Sequence, residues 1–94
     1  MNKYELVIIF KPLAEENFKP EFEKVKELIT KFGGTIEKID EWGKRKLAYD
    51  INKISEGIYE IITFTAESTT PGELESRLRI NESVLRYLIT RQEA

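Results

Sequence analysis

Apolar side chains occupy both odd and even positions from Tyr4 to Phe10, in a run of β-branched and aromatic residues that stops at Pro12. The pattern predicts a strand buried on both faces and therefore central in a sheet. The period then changes. Phe18, Phe22, Val25, Ile29 and Phe32 follow at steps of four, three, four and three, which brings them to one side of a helix ending at Gly33-Gly34. Pro20 is expected in its first turn, where a missing N–H costs little. The glycine pair follows a helix instead of opening one, so it reads as a C-cap and not as a phosphate loop.

From Thr35 to Asn52 the chain is extended, but its apolar positions change step: Ile36, Ile39 and Trp42 are three apart, whereas Leu47, Tyr49 and Ile51 are two apart. A regular strand keeps one step, so a bulged or bent strand is expected. Ser55-Glu56-Gly57 reads as a turn, and Ile58 to Ala66 as the returning strand of a long hairpin. Thr70-Pro71-Gly72-Glu73 reads as a capping box with Thr70 at N-cap, Pro71 at N1 and Glu73 at N3, leading a helix that turns Leu74 and Leu78 to the core. A turn at Asn81-Glu82-Ser83 precedes a last strand, Val84 to Thr90.

The order β-α-β-β-α-β predicts an α+β fold over residues 1–94, a single ferredoxin-like (split βαβ) domain with a short polar tail, 91–94. Such a fold has a four-stranded antiparallel sheet with two helices on one face. Alternation then sends Leu6, Ile8, Phe10, Ile62, Phe64, Tyr87 and Ile89 toward the helices, and Val7, Ile9, Tyr59, Ile61, Arg86 and Leu88 to the open face. A face meant only for water would be more polar, so Val7, Ile9, Tyr59, Ile61 and Leu88 are expected to meet a protein partner.

Composition narrows the chemistry. The 94 residues contain no cysteine and no histidine, which removes disulfides, thiolate nucleophiles, the commonest general base and the commonest transition-metal ligands. No catalytic residue, metal or cofactor is expected. The apolar start is too short for a signal sequence or a membrane span, so a cytoplasmic protein is expected. The net charge of −2 argues weakly against nucleic acid. Distribution matters more: residues 15–32 alternate five glutamates with four lysines, a solvated helix face, while Lys44, Arg45, Lys46 and Lys53, then Arg77, Arg79, Arg86 and Arg91, bunch locally.

Other functions of this fold leave marks that are missing. Base stacking on the third strand needs aromatics where Ile58 and Glu60 stand, and metal carriage needs paired cysteines. Lys11-Pro12-Leu13-Ala14 is a poor phosphate cradle, and no pair of carboxylates is expected to point inward.

The segment Trp42-Gly43-Lys44-Arg45-Lys46-Leu47-Ala48-Tyr49, followed by Ile51, Lys53, Gly57 and Tyr59, strongly resembles the signature of the bacterial small-subunit ribosomal protein six family. Tyr4-Glu5, Arg79-Ile80-Asn81 and Val84-Leu85-Arg86 extend the resemblance over nearly the whole chain. Asp50 stands where some members carry proline, Ile58 intervenes before Tyr59, and the long tail of some members is missing. The resemblance implies a non-catalytic constituent of the small ribosomal subunit that pairs with small-subunit ribosomal protein eighteen and binds the central domain of 16S ribosomal RNA. Lys44, Arg45 and Lys46 are the first RNA candidates, because consecutive long cations on a bent strand carry charge to both faces. Their alternative role is to guard an edge strand against aggregation. Arg79, which equally suits a helix C-terminus, Arg86 and Arg91 complete the candidate set. Trp42 and Tyr49 are expected as packing anchors. Two other classes stay open: a regulatory module dimerising through the open sheet face, and a hydrolase built on carboxylates and lysine.

Overall fold

Burial along the first strand follows the double-sided pattern read from its sequence. The computed structural model describes residues 1–51 and 53–92, the side chains of 48, 49 and 51 excepted. Strand β1 (Asn2–Phe10) lies between β3 (Ile54–Ala66) and β4 (Val84–Gln92), with β2 (Thr35–Ile51) outside β3, in the order β2-β3-β1-β4 and antiparallel throughout. Helices α1 (Glu15–Lys31) and α2 (Thr70–Leu78) cover one face. This is the ferredoxin-like arrangement. Leu6, Ile8, Phe10, Ile62 and Phe64 are fully buried against Phe22, Val25 and Ile29 of α1 and Leu74 and Leu78 of α2, with Tyr87 and Ile89 packed at the margin. The ring of Phe10 meets Phe18 edge-on at 5.2 Å, and Phe18 stacks on Phe22 at 5.5 Å, which anchors the start of α1 to the end of β1.

Helix α1 begins earlier than the proline suggests. Its first turn forms on the Ala14 carbonyl, which accepts from the Asn17 and Phe18 amides at 2.9 Å each, so Pro20 lies beyond that turn. The site is tolerable because the one lost bond is near the helix start, where Phe18 is held by the aromatic cluster and Glu15 and Glu16 favour the dipole. At the other end Gly33 donates to Thr30 (3.1 Å) and Gly34 to Ile29 (2.8 Å), the paired closure of a Schellman C-cap.

Thr70 does not cap its helix. Thr69 holds the N-cap position without a side-chain bond, and Pro71 follows in the first turn. The Thr70 hydroxyl instead donates to the Phe32 carbonyl at 2.8 Å, tying the start of α2 to the end of α1. Tertiary demand for that buried hydroxyl overrides the local capping box.

Strand β2 carries the expected irregularity as separate register shifts. Ile36 faces Phe64 and Lys38 faces Thr63, so Glu37 is extra; Glu41 faces Glu60 and Gly43 faces Tyr59, so Trp42 is extra. Each inserted residue exchanges the faces of those that follow. That is why Ile36 and Ile39, three apart, both reach the helix side. Gly43 supplies the φ of +75° that the second bulge requires.

The hairpin turn falls earlier in the chain than the Ser55-Glu56-Gly57 signal suggests, with β2 ending at Ile51 and β3 beginning at Ile54. Ile51 pairs with Ile54, Lys53 takes a left-handed φ of 66°, and Gly57 lies inside β3. Gly57 is there because a neighbour occupies the space: a Cβ on it would stand 2.5 Å from Ile9 Cγ2 and 3.1 Å from the Phe10 carbonyl oxygen. Gly57→Ala is therefore expected to lower stability by about 1–3 kcal/mol, since neither the branched Ile9 nor the β1 backbone can move cheaply. Chemical denaturation checks this, and an unchanged midpoint would show that the contact relaxes freely.

Candidate RNA and partner interface

The open face of the sheet is divided across its strands. Val7 stands between Ile61 and Leu88, and Ile9 between Tyr59 and Arg86. The next rows, Lys38-Thr63-Glu5-Thr90 and Thr35-Thr65-Lys3-Gln92, are polar, and Lys3 pairs with Glu37 at 3.4 Å. The apolar half therefore lies at the end of β1 nearer the hairpin. Ile9 is buried under its neighbours, Val7, Tyr59 and Ile61 are half-buried, and Leu88 is 59% exposed.

Trp42 extends this apolar half to the sheet edge. As the inserted residue of the second bulge it leaves the core, stacks on Tyr59 at 6.4 Å and 19° between planes, and stays 48% exposed. It anchors a surface, not the interior. Tyr49, the other expected anchor, has a side chain outside the described residues.

The candidate cations gather at the same end. Strand β1 makes its last pair with β3 at Phe10 and Ile58, but β2 and β3 continue together, with Lys44 opposite Ile58, Arg45 opposite Gly57 and Lys46 opposite Glu56. The hairpin thus projects beyond the central strand. Direct pairing places Lys44 and Lys46 with the helix side and Arg45 with the open side, where its Nε donates to the Trp42 carbonyl at 3.1 Å. Arg86 is exposed on the open face opposite Ile9. Arg79 forms the C-cap of α2, and the loop after it joins β4 where Val84 meets Phe10. Arg91 stands apart. It pairs with Tyr4 near the start of β1, about 20 Å along the strand from Phe10, and its Nη2 donates to Asn2 Oδ1 at 2.9 Å.

One buried group was missed. Glu60 has its side chain on the helix side, 2% exposed, with Oε2 lacking a hydrogen-bond partner, and Glu41 is its direct neighbour on β2. The expectation that no carboxylate pair turns inward therefore fails at Glu60. The signal was present, since Ile58, Glu60, Ile62 and Phe64 share one parity. Burial first, then the charge of Glu41, push its carboxyl up to about 7, against a smaller opposing pull from Lys26. Among the described residues no group of three or more Asp or Glu side chains is placed to hold a metal ion.

Fold and surfaces together define a ferredoxin-like domain without a catalytic constellation among its described residues, its sheet carrying an apolar patch bordered by cations. The family model described as ribosomal protein S6 matches residues 3–91. Small ribosomal subunit protein bS6 of Clostridium botulinum (strain 657 / Type Ba4) is 48% identical, covering 99% of this chain and 100% of its own length. The bS6 protein of Pseudarthrobacter chlorophenolicus is 50% identical, covering 99% and 93%. The crystal structure of 30S ribosomal protein S6 from Thermotoga maritima superimposes with a TM-score of 0.92 at 33% identity, covering 97% of this chain and 87% of that one. The chain belongs to the ribosomal protein S6 family: it is a structural component of the small ribosomal subunit in the cytoplasm, and not an enzyme. No described helix is long and apolar enough to cross a membrane.

The raised Glu60 carboxyl has a stability consequence. Below its ordinary 4.5 both folded and unfolded chains hold the proton and no penalty arises. Between 4.5 and about 7 only the folded chain keeps it, so stability falls as pH rises. Above about 7 the loss is complete, on the order of 3 kcal/mol. Glu60→Gln should remove this slope, becoming more stable than the parent at high pH and matching it more closely in acid. Denaturation curves of both proteins across the window measure the difference, and parallel pH profiles would show that Glu60 ionises normally.

Proposed function

We propose that this chain binds the central domain of 16S ribosomal RNA as one half of a pair with small-subunit ribosomal protein eighteen. The observation that carries the reading is the joining of two surfaces at one end of the sheet. There the apolar rows of Val7, Ile9, Tyr59, Ile61 and Leu88 end against Arg45 and Arg86, beside the projecting hairpin. The apolar half suits a protein, because its burial releases water from contiguous hydrocarbon without stranding a charge. The cations suit phosphate, and their position lets RNA and partner meet the same end of the molecule. Arg79 and Arg86 flank the loop between α2 and β4 and extend the basic border, whereas Arg91 would meet RNA separately. Family membership supports the ribosomal setting. A mildly acidic chain then contributes local cations and a partner surface, with the rest of the affinity supplied through linked binding.

Changing Lys44, Arg45 and Lys46 together to Ala should weaken RNA binding of the paired complex without unfolding it. If each meets one phosphate, the slope of log affinity against log salt should become shallower by about 0.9 per contact, or roughly 2.7 for three. An unchanged slope would return these residues to guarding β2, which is an edge strand of the sheet.

Charge placed on the open face should separate folding from docking. Ile61→Glu is expected to leave the isolated chain folded, because that side chain is outside the helix-covered core, and to weaken partner binding by at least about thirtyfold, roughly 2 kcal/mol. Thermal unfolding of the variant beside a titration with ribosomal protein eighteen tests both halves. Full partner affinity in a folded variant would sink the docking assignment, and a concentration-dependent homodimer of the parent would favour self-association through this face.

A further inference from the structure

On the helix side of the sheet, a cleft of about 660 Å3 lies between the first half of α1 and the bulged part of β2. Phe18 and Phe22 wall it from α1, Trp42 from β2 and Ile58 from β3. Glu60 lines it from the sheet, with its Oε2 buried and without a hydrogen-bond partner. A carboxylate left so costs free energy that a suitable ligand recovers.

The charges around the cleft say which ligand is suitable. Glu15 is paired with Lys19 at 3.4 Å, and Glu23 with Lys26. The Lys26 ammonium also stands 4.9 Å over the Phe22 ring, and its pull on Glu60 is weaker than the opposing effects of burial and Glu41. Glu15, Glu23, Glu41 and Glu60 thus line the cleft against Lys19, Lys26 and Lys44, one carboxylate in excess. An anion entering here meets two carboxylates, whereas a cation meets a desolvated acceptor between aromatic walls.

We propose that this cleft receives the guanidinium of an arginine side chain presented by a basic protein segment, with Glu60 as the buried anion and the rings of Phe18 and Trp42 as its stacking surfaces. Arginine suits the site better than lysine, because a planar guanidinium can bond a carboxylate with one edge while its faces lie on rings, and it loses less on dehydration. The occupant is a protein group and not RNA, which offers no fixed cation at neutral pH. Trp42 borders both this cleft and the open face, where it stacks on Tyr59, but Glu60, Phe18 and Phe22 lie on the helix side, so an arginine here is argued apart from the docking of a partner on the open face.

Entry of the cation is coupled to a proton. The groups facing Glu60 are Glu41 and Lys44 from β2 and Lys26 and Glu23 from α1, with the Glu15–Lys19 pair also lining the cleft, while Ile8 of β1 and Ile58 of β3 bring no charge. With its carboxyl held up to about 7, Glu60 gives up a proton as the guanidinium binds, so affinity should rise with pH through that range.

The test is an NMR titration of the full chain with L-argininamide, run beside L-lysinamide, the neutral L-citrullinamide and inorganic phosphate, at about pH 6 and about pH 8. The expected result is a saturable shift of the Trp42 indole and Phe18 ring signals with argininamide. Binding should be tighter at the higher pH, and at least about tenfold weaker for citrullinamide or for the Glu60→Gln protein. Glu60→Gln keeps the side-chain shape, and Glu60→Leu serves as a second folded reference lacking any acceptor. Equal binding by Glu60→Gln, equal binding of citrullinamide or lysinamide, occupancy by phosphate, or no saturable shift would each overturn the assignment.

Discussion

A β-strand turns alternate side chains to opposite sides, and in β1 both sets are apolar between Leu6 and Phe10. Two helices cover only one side of the sheet. Burial of Leu6, Ile8 and Phe10 under α1 and α2 therefore leaves Val7 and Ile9 on the other side, and β3 and β4 align Ile61, Tyr59 and Leu88 with them. Ile9 is covered by its neighbours on the adjacent strands while Val7 stays half-buried, so the apolar character of the open side follows from the alternation within β1 itself.

Electrostatics is organised around that constraint and not around the net charge. The glutamates and lysines of α1 largely neutralise one another through pairs at helical spacing, such as Glu15 with Lys19 and Glu21 with Lys24, and contribute little field at a distance. The cations of the hairpin have no such series of acids along their own segment. An acidic total is therefore compatible with a locally positive end, and a sum over residues is a poor guide to what the surface attracts.

Much of the architecture was legible because local signals and tertiary demands agree. The face of α1, the central place of β1, the sidedness of the sheet and the irregularity of β2 all follow from periods that the sequence displays. Legibility failed where a distant group intervened. Thr70 sits in a capping pattern, but its hydroxyl is claimed by Phe32, 38 positions away. Gly57 looks like a turn glycine, but is required by the side chain of Ile9 on another strand. Glu60 obeys the inward parity of its strand, yet a charged residue at such a position is easily read as solvated. For the site, the adjacency of Lys44, Arg45 and Lys46 was plain, whereas the separation of Arg91 from them needed the register of β4 on β1.

The insertions at Glu37 and Trp42, the first two of three register shifts of β2 against β3, can also be seen as compensating frameshifts. Glu37 moves the side-chain phase out of step with β3, and Trp42 moves it back, so the strand resumes its original parity just before the cations begin. Lys44 and Arg45 owe their opposite outlooks to neighbours, but which of them shares the open face is decided upstream by this pair of insertions. Removing either one alone would transpose the basic cluster onto the wrong sides of the hairpin while leaving its composition untouched. Removing both would restore the frame. Which side each cation of the cluster presents is thus encoded partly in residues outside the cluster.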